Sequence, residues 1–167
     1  ETVYMNTSYI GLSHQASPPT EFGDAVTMVP HSSGNPTYIT QVLVGYYTPE
    51  TFVVDPSKTM TFRMYNMDGA PNSGSLGRMT PGTQIYEGTQ QLAVAPLGNG
   101  MIWDGLFEAV PANNRIGWTV EFNGTTDAEL LLANPPSIGS SANYFWKWNN
   151  DQWEIFQIQN GSVPANF

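Results

Sequence analysis

Polar and apolar residues alternate along most of the chain, which is the pattern of β-strands that lay one face on a core. In residues 58–65, Met60, Phe62 and Met64 fall on one face, and polar residues and tyrosine fall on the other. Residues 115–122 repeat this alternation. The remaining strands predicted by the pattern cover residues 24–29, 38–46, 84–87, 90–95, 105–110, 129–133, 144–148 and 153–158.

Glycine and proline interrupt every long segment, since the chain holds 16 Gly and 13 Pro. The one helix-like pattern, in residues 127–132, is too short to carry weight. About ten short strands separated by turn residues predict an all-β fold, an antiparallel β-sandwich of the jelly-roll kind, with a closed barrel as the alternative. The loop over residues 66–81 is rich in Gly, Ser and Asn, and we expect it at one end of the sandwich.

Residues 144–158 hold three of the five tryptophans. Two aromatic runs flank Asn149-Asn150-Asp151-Gln152, a polar group of residues that predicts a hairpin turn. Such a hairpin either anchors a sheet in the core or offers aromatic rings to a ligand.

Residues 1–20 differ from the rest and are treated as an N-terminal arm, followed by one domain over residues 21–167. A strand-like stretch in residues 1–12 is broken by residues 14–19, which include Pro18-Pro19. An edge strand of this kind usually pairs within its own domain, but it can also complete the sheet of a neighbouring subunit. In the second case the residues that contact the neighbour are Val3, Tyr4, Met5, Tyr9, Ile10 and Leu12.

Charge and composition exclude several classes of partner. Fourteen acidic and five basic residues give a net charge of −9, which opposes binding to nucleic acid and to anionic membrane. The sequence has no run of about 18 apolar residues, so we expect no membrane insertion. It also has no cysteine, and it starts at Glu1 rather than Met; both favour export and a processed N-terminus.

A series of short motifs follows in order between residues 21 and 167. They are Glu21-Phe22-Gly23-Asp24, Phe62-Arg63-Met64-Tyr65 before Asp68-Gly69, Pro81-Gly82-Thr83 before Ile85-Tyr86-Glu87, Trp118-Thr119-Val120 before Leu130-Leu131-Leu132 and Pro135-Pro136, and Ile138-Gly139-Ser140-Ser141 before Phe145-Trp146, Trp153-Glu154 and Pro164-Ala165-Asn166-Phe167. In this order they resemble the secreted β-sandwich domain of bacterial surface proteins that carry a PEP-CTERM-type (exosortase-recognised) sorting tail.

That resemblance implies an extracellular or cell-surface location, and it supplies no catalytic residues to transfer. The chain departs from the pattern in lacking the Pro-Glu-Pro motif, apolar stretch and basic end of the tail after Phe167. Residues 1–20 lie outside the resemblance, so it leaves the role of the arm open.

Catalysis finds little support in the sequence. There is no cysteine nucleophile and no G-x-S-x-G turn, and the two histidines, His14 and His31, lie in stretches that are typical of loops. Glu108, Glu121 and Glu129 are the carboxylates on predicted strands, and their alternation favours solvent-facing positions over a catalytic pair. We therefore predict that the protein is not an enzyme.

Calcium is the one cofactor that the residues support, through carboxylates near predicted turns. The candidate ligands are Glu21, Asp24 and Asp68. Turn-forming hydrogen bonds of Asp explain the same residues without a metal, and the scarcity of His and Cys argues against a transition-metal site.

Sugar binding would need exposed rings that stack on sugar faces. Trp148 adjoins the predicted turn and is the best candidate, with Tyr144, Tyr46 and Tyr47 as supporting rings. Core or inter-subunit packing is nevertheless the favoured role for these rings, and the resemblance makes the positions of Trp146 and Trp153 recurrent, which suits a core role.

The sequence thus favours a non-enzymatic, secreted structural subunit of a bacterial surface assembly or filament, linked by addition of residues 2–12 to the sheet of the next subunit. A carbohydrate-binding module for a neutral polysaccharide is the alternative function.

Overall fold

The computed structural model describes residues 2, 4–6, 9–14, 20–30, 32–33, 37–96, 100–104, 110–112, 114–133, 136–160 and 163–164. Over these residues the chain forms β-strands and no helix, so nothing in them could cross a bilayer as a helix. The strands are β1 (Tyr9–His14), β2 (Phe22–Thr27), β3 (Thr37–Ile39), β4 (Gln41–Tyr47), β5 (Thr59–Asn66), β6 (Gln84–Gln91), β7 (Gly100–Asp104), β8 (Val110–Ala112), β9 (Arg115–Asn123), β10 (Glu129–Ala133), β11 (Ser140–Asn149), β12 (Gln152–Phe156), β13 (Gln159–Asn160) and β14 (Val163–Pro164).

Two antiparallel sheets face each other, which confirms the predicted β-sandwich. The four-stranded sheet has the order β1-β10-β4-β7, and the six-stranded sheet has the order β12-β11-β2-β9-β5-β6. Two short pairs, β3 with β8 and β13 with β14, lie outside them. The jelly-roll connectivity stays a prediction.

The main core lies between the two sheets and is built by the predicted alternation. Met60, Phe62 and Met64 of β5 are buried in it, and β9, β10 and β4 contribute their alternate residues. Burial of apolar side chains on this scale supplies most of the folding free energy. The largest fully buried members of this core are Phe22, Phe62, Phe145, Met60, Met64, Leu92, Leu130, Leu132 and Val120.

A second, smaller core lies on the outer face of the six-stranded sheet. Tyr65, Trp146 and Trp153 are buried there with Ala25 and Tyr144. The loop after β5 covers this face: the Ile155 amide donates to the Gly74 carbonyl at 3.0 Å, and the Arg78 guanidinium lies 4.8 Å from the centre of the Tyr144 ring. The expectation that this loop sits at one end of the sandwich was wrong, because outward-facing aromatic rings need a cover.

The predicted hairpin is confirmed. Strands β11 and β12 pair from Phe145 opposite Phe156 to Asn149 opposite Gln152. Asn150 and Asp151 form the two-residue turn with φ of 48° and 59°. Positive φ at both positions is the geometry of a type I′ turn, whose twist matches that of the flanking strands.

Three other predicted elements differ from the structure. Residues 84–87 and 90–95 were expected as two strands, but β6 is one strand that ends at Gln91. The strand predicted over residues 129–133 is confirmed as β10, and the weak helix-like pattern over residues 127–132 forms no helix, since Leu130 and Leu132 alternate into the core. Of the strand predicted over residues 105–110, only Val110 is among the described residues, and β7 precedes it at residues 100–104.

Candidate assembly site

The N-terminal segment, defined here as residues 2–14, supplies the edge of the four-stranded sheet. Strand β1 pairs antiparallel with β10 of the same chain, with Ser13 opposite Leu131 and His14 opposite Leu130. The register shifts between Tyr9 and Leu12. The Ser13 hydroxyl donates a short hydrogen bond to the Glu129 carboxylate, which fixes the end of the strand that leads toward β2.

A second contact ties the start of the segment to the chain just before β11. The Met5 amide donates to the Ile138 carbonyl at 3.1 Å, and the Met5 carbonyl accepts from the Ser137 amide at 2.9 Å. The Met5 side chain is exposed. Backbone groups therefore make this contact, and they are the same in every copy of the chain.

Tyr4 inserts its ring beside the main core, whereas its neighbour Met5 points outward. Burial raises the pKa of the Tyr4 phenol, and the nearby Asp24 carboxyl raises it further. The side chains of Ser141 and Asn6 lower this pKa. Tyr4 is thus the described residue of the segment that reaches a buried polar group of the domain.

Asp24 is that group, and it lies fully buried in the middle of β2. One carboxyl oxygen, Oδ1, accepts from the Ala25 amide at 2.6 Å. The other, Oδ2, has no hydrogen-bond partner within the described part of the chain. Burial raises the pKa of Asp24 well above its ordinary value, because an ionised carboxylate without a partner is costly in an apolar interior.

His14 ends β1 in an aromatic environment. Its ring centre lies 5.4 Å from those of Phe22 and Phe156. Burial lowers the pKa of this imidazole, Lys147 lowers it further, and Glu129 raises it. His14 therefore packs as a neutral ring at the end of the sandwich, and no nucleophile–base arrangement that includes it is present among the described contacts.

The residues predicted to contact a neighbour fall on this segment as follows. Tyr9, Ile10 and Leu12 belong to β1, which pairs within its own chain. Tyr4 and Met5 precede that strand, and Val3 lies outside the described residues, as do residues 15–19 with Pro18 and Pro19. The structure thus has the intramolecular pairing that the sequence offered as the more common alternative.

The four rings predicted as a sugar platform are not brought together. Tyr46 is buried on β4 and its hydroxyl bonds the backbone of Ala93, while Tyr47 is half-buried on the same strand of the four-stranded sheet. Tyr144 is buried in the outer core, where its hydroxyl accepts from the Arg115 guanidinium at 2.8 Å. Only Trp148, 40% exposed, offers a ring to solvent.

The three predicted calcium ligands are likewise separated by their partners. Glu21 binds Arg63, Tyr65 and Thr119; Asp24 is buried beside the core; Asp68 accepts from the amide and hydroxyl of Thr83 at 2.7 and 2.8 Å. Hydrogen bonds from Thr83 lower the pKa of Asp68, as in an ordinary turn. Among the described residues, no three acidic or histidine side chains converge in a way that could hold a metal.

One charged network that sequence reasoning missed lies on the outer face of the six-stranded sheet. The Arg63 guanidinium contacts the carboxylates of Glu21, Glu87 and Glu121 at 3.3, 2.7 and 2.9 Å. Register explains the cluster, because Arg63 lies opposite Glu87 on β6 and opposite Thr119 on β9, two residues from Glu121 on the same face of that strand. The carboxylate expected to face solvent, Glu121, is instead half-buried in this network.

The other candidate acids and imidazole do not add a catalytic pair. Glu129 accepts from Ser13, while Glu108 and His31 lie outside the described residues. The cavity at residues 124–127 is an open, shallow depression lined by Lys58, Gly124, Thr125, Thr126 and Asp127, and none of the predicted site residues lines it.

Comparison with known proteins gives no relative to set beside these features: no protein-family model matches the chain, and no curated protein or solved structure matches it significantly. The resemblance to PEP-CTERM-type surface proteins stays a prediction.

Proposed function

We propose that the protein is a non-enzymatic structural subunit of a secreted, extracellular surface assembly, and that subunits are joined by exchange of the N-terminal segment. In the exchanged form, the segment of one copy occupies the edge of β10 in the next. The intramolecular pairing described above is then the closed form of the same contact.

The observation that carries the proposal is the position of β1. It is an edge strand whose partners, β10 and Ile138, lie more than a hundred residues further along the chain. It pairs with β10 through the backbone, and any second copy of the chain offers the same backbone groups. Because the Pro18-Pro19 sequence favours an extended connection between β1 and β2, an open form in which the segment points away from its own domain is sterically reasonable.

The chemistry of the described side chains supports a structural role. Three of the strand-borne or near-strand carboxylates are held by Arg63, and another by Ser13. Acids that are held in ion pairs and hydrogen bonds do not supply the raised-pKa proton donor that glycoside cleavage needs, and Asp24, whose pKa is raised, is fully buried away from solvent.

A disulfide experiment separates closed from exchanged pairing, and the absence of native cysteine makes it clean. Ser13 and Leu131 are directly opposite, so the double variant Ser13→Cys/Leu131→Cys can form a bond across β1 and β10. Under non-reducing denaturing electrophoresis, an exchanged assembly yields a ladder of covalent oligomers. A closed subunit yields a covalent monomer of altered mobility.

The matched control is Thr61→Cys/Thr89→Cys. These residues are opposite each other on β5 and β6, with their hydroxyls 2.9 Å apart, and both strands belong to the body of the domain. This pair should give only monomers in the same preparation. Assembled material in which the Ser13/Leu131 pair also gives only monomers would overturn the exchange.

Deletion of residues 1–18 provides a second test. We expect the truncated chain to remain unassembled under conditions where electron microscopy shows fibres of the intact chain. Fibres from the truncated chain would mean that another surface connects the subunits.

A carbohydrate-binding role is the second candidate, and the exposed ring of Trp148 is the observation that favours it. Titration with a panel of neutral polysaccharides, followed by tryptophan fluorescence, tests this role directly. Binding that disappears in Trp148→Ala and persists in Tyr47→Ala would support it, whereas no response across the panel would argue against it.

A further inference from the structure

The Asp24 carboxyl is fully buried on the core face of β2, and one of its oxygens has no described hydrogen-bond partner. It lies on β2 between Phe22 and Val26, both members of the main core, and its backbone is opposite Trp118 on β9 and Phe145 on β11. A carboxyl group at such a position destabilises a fold unless it is neutral or paired. Its one described hydrogen bond comes from the amide of the next residue.

The N-terminal segment packs against the same core as the neighbours of Asp24 on β2. Tyr4 packs beside the main core close enough to Asp24 for the two groups to interact electrostatically. The register of β11 against β2 shifts between Ser141 and Phe145, so the sheet is irregular beside Asp24. Tyr4 is the one titratable group that the described surroundings place against Asp24, since Trp118 and Phe145 carry no charge.

We propose that docking of the N-terminal segment is coupled to protonation of Asp24, so that the segment leaves its groove more readily as the pH rises. The inference rests on the proposed function, because release of the segment is the step that precedes exchange. In this proposal, protonated Asp24 favours the docked segment and ionised Asp24 favours its release.

The sign follows from the state of Asp24 in the two forms. Docking buries the carboxyl and raises its pKa, whereas release opens it to water and returns its pKa toward the ordinary value of about 3.9. Between these two pKa values, release of the segment frees one proton. The opening constant therefore increases about tenfold for each pH unit in that range.

His14 acts in the opposite direction, because docking lowers its pKa. Between its lowered pKa in the docked form and its ordinary value of about 6.5, release of the segment takes up one proton on this imidazole. Lys147 and Glu129 face His14, and their opposed effects on its pKa leave burial as the main cause. Where the two linkages overlap they offset each other, and a comparison of the native chain with Asp24→Asn, which leaves His14 unchanged, isolates the contribution of Asp24.

Hydrogen exchange of the intact chain measures this opening. The Met5 and Ile138 amides are bonded across the docking contact, and their exchange rates, corrected for the intrinsic effect of pH, give the opening constant. We expect the ratio of the native opening constant to that of Asp24→Asn, which mimics the neutral carboxyl, to increase with pH above about 3.9.

The Ile155 amide is the internal control, because it bonds Gly74 at the opposite sheet edge and its local opening leaves Asp24 covered. Asp24→Leu serves as a second variant if the asparagine amide disturbs the core. An increase with pH that survives both substitutions would overturn the proposal. So would a suppression of the increase by millimolar calcium or sodium, which would show that a cation, and not a proton, neutralises the carboxyl.

This measurement and the disulfide ladder fail independently. If the chain shows Asp24-dependent opening but gives only covalent monomers, the coupling to Asp24 is supported and the assembly function is refuted. If the chain gives ladders and its opening constant does not depend on pH, the assembly function is supported and the coupling to Asp24 is refuted.

Discussion

Strands β12 and β1 both lie at sheet edges, yet they are held in different ways. Strand β12 follows its partner β11 after a two-residue turn, and its edge amide at Ile155 is bonded to Gly74. Strand β1 reaches a partner that is more than a hundred residues away, with a shift in register on the way. The edge formed by β12 is therefore held by a strand next to it in sequence, whereas the edge formed by β1 depends on a contact between distant parts of the chain.

If copies of the chain exchange the N-terminal segment as proposed, this difference favours one edge over the other for exchange. A short turn keeps β12 at a very high effective concentration beside β11, so no other molecule competes with it. The segment with β1 is held through a longer connection and competes with the same segment from other copies on more equal terms. Exchange is therefore a property we expect of the N-terminal edge and not of the hairpin edge.

Removal of the Trp146 ring from the hairpin should cause the largest loss of stability among the variants considered for the two edges. Trp146 is fully buried in the outer core, so Trp146→Ala should lower the free energy of unfolding by about 3–5 kcal/mol. Denaturant unfolding followed by circular dichroism measures the loss. The matched variant Trp148→Ala removes the same side chain from an exposed position and should cost less than about 1 kcal/mol; equal losses would contradict the burial described here.

Substitution of Arg63 tests the charged network that covers the rest of the outer face. Arg63→Met leaves three carboxylates close together without a cation, and we expect a loss of about 2 kcal/mol in unfolding free energy near neutral pH. Glu87→Gln is the control, because that carboxylate is half exposed and its pair contributes less than about 1 kcal/mol. A larger effect from Glu87→Gln than from Arg63→Met would show that the arginine is not the centre of the network.

Truncation of Tyr4 should act on the N-terminal edge alone. Tyr4→Ala removes the half-buried ring and should make docking of the segment less favourable by about 2 kcal/mol, with little change at the Ile155 edge. Met5→Ala, which keeps the backbone bonds and removes an exposed side chain, should change docking by less than about 0.5 kcal/mol. Hydrogen exchange at Ile138 and Ile155 reports the two edges separately.

Much of the sandwich could be predicted because alternation is a local signal. Met60, Phe62 and Met64 alternate into the core, and the Asn150-Asp151 turn follows from residues that tolerate positive φ. Burial on both faces of β11 was harder to foresee, because Tyr144 and Trp146 alternate with Phe145 in one continuous apolar run. Such a run does not reveal that a loop sixty residues earlier covers its outer side.

The candidate site was only partly predictable, since its geometry depends on register. Sequence reasoning selected Tyr4 and Met5 but could not tell that one points inward and the other outward. Asp24 was assigned to calcium by its residue type, whereas its position between Phe22 and Val26 placed it in the interior. The alternation of Phe22, Asp24 and Val26 along β2 could have revealed this position. It places a carboxyl between two core residues, and that is unusual.

Substitutions in the turn between β11 and β12 should have the smallest effects, and they test whether the turn holds β12 against β11. Asp151 adopts a φ of 59°, a conformation that costs an L-residue about 1–2 kcal/mol and glycine almost nothing. Glycine also gains freedom in the unfolded chain, so Asp151→Gly should stabilise the fold by only about 0.5 kcal/mol. Asp151→Val should destabilise it by about 1–2 kcal/mol, because a β-branched side chain is poorly accommodated at positive φ. If the turn is of type I′, the melting temperature of the native chain should lie between those of the two variants.

Strand β1 and its contacts lie elsewhere, so hydrogen exchange at Met5 should be the same in both variants. A change there would mean that the two edges are coupled through the sheet that β2 shares with β11.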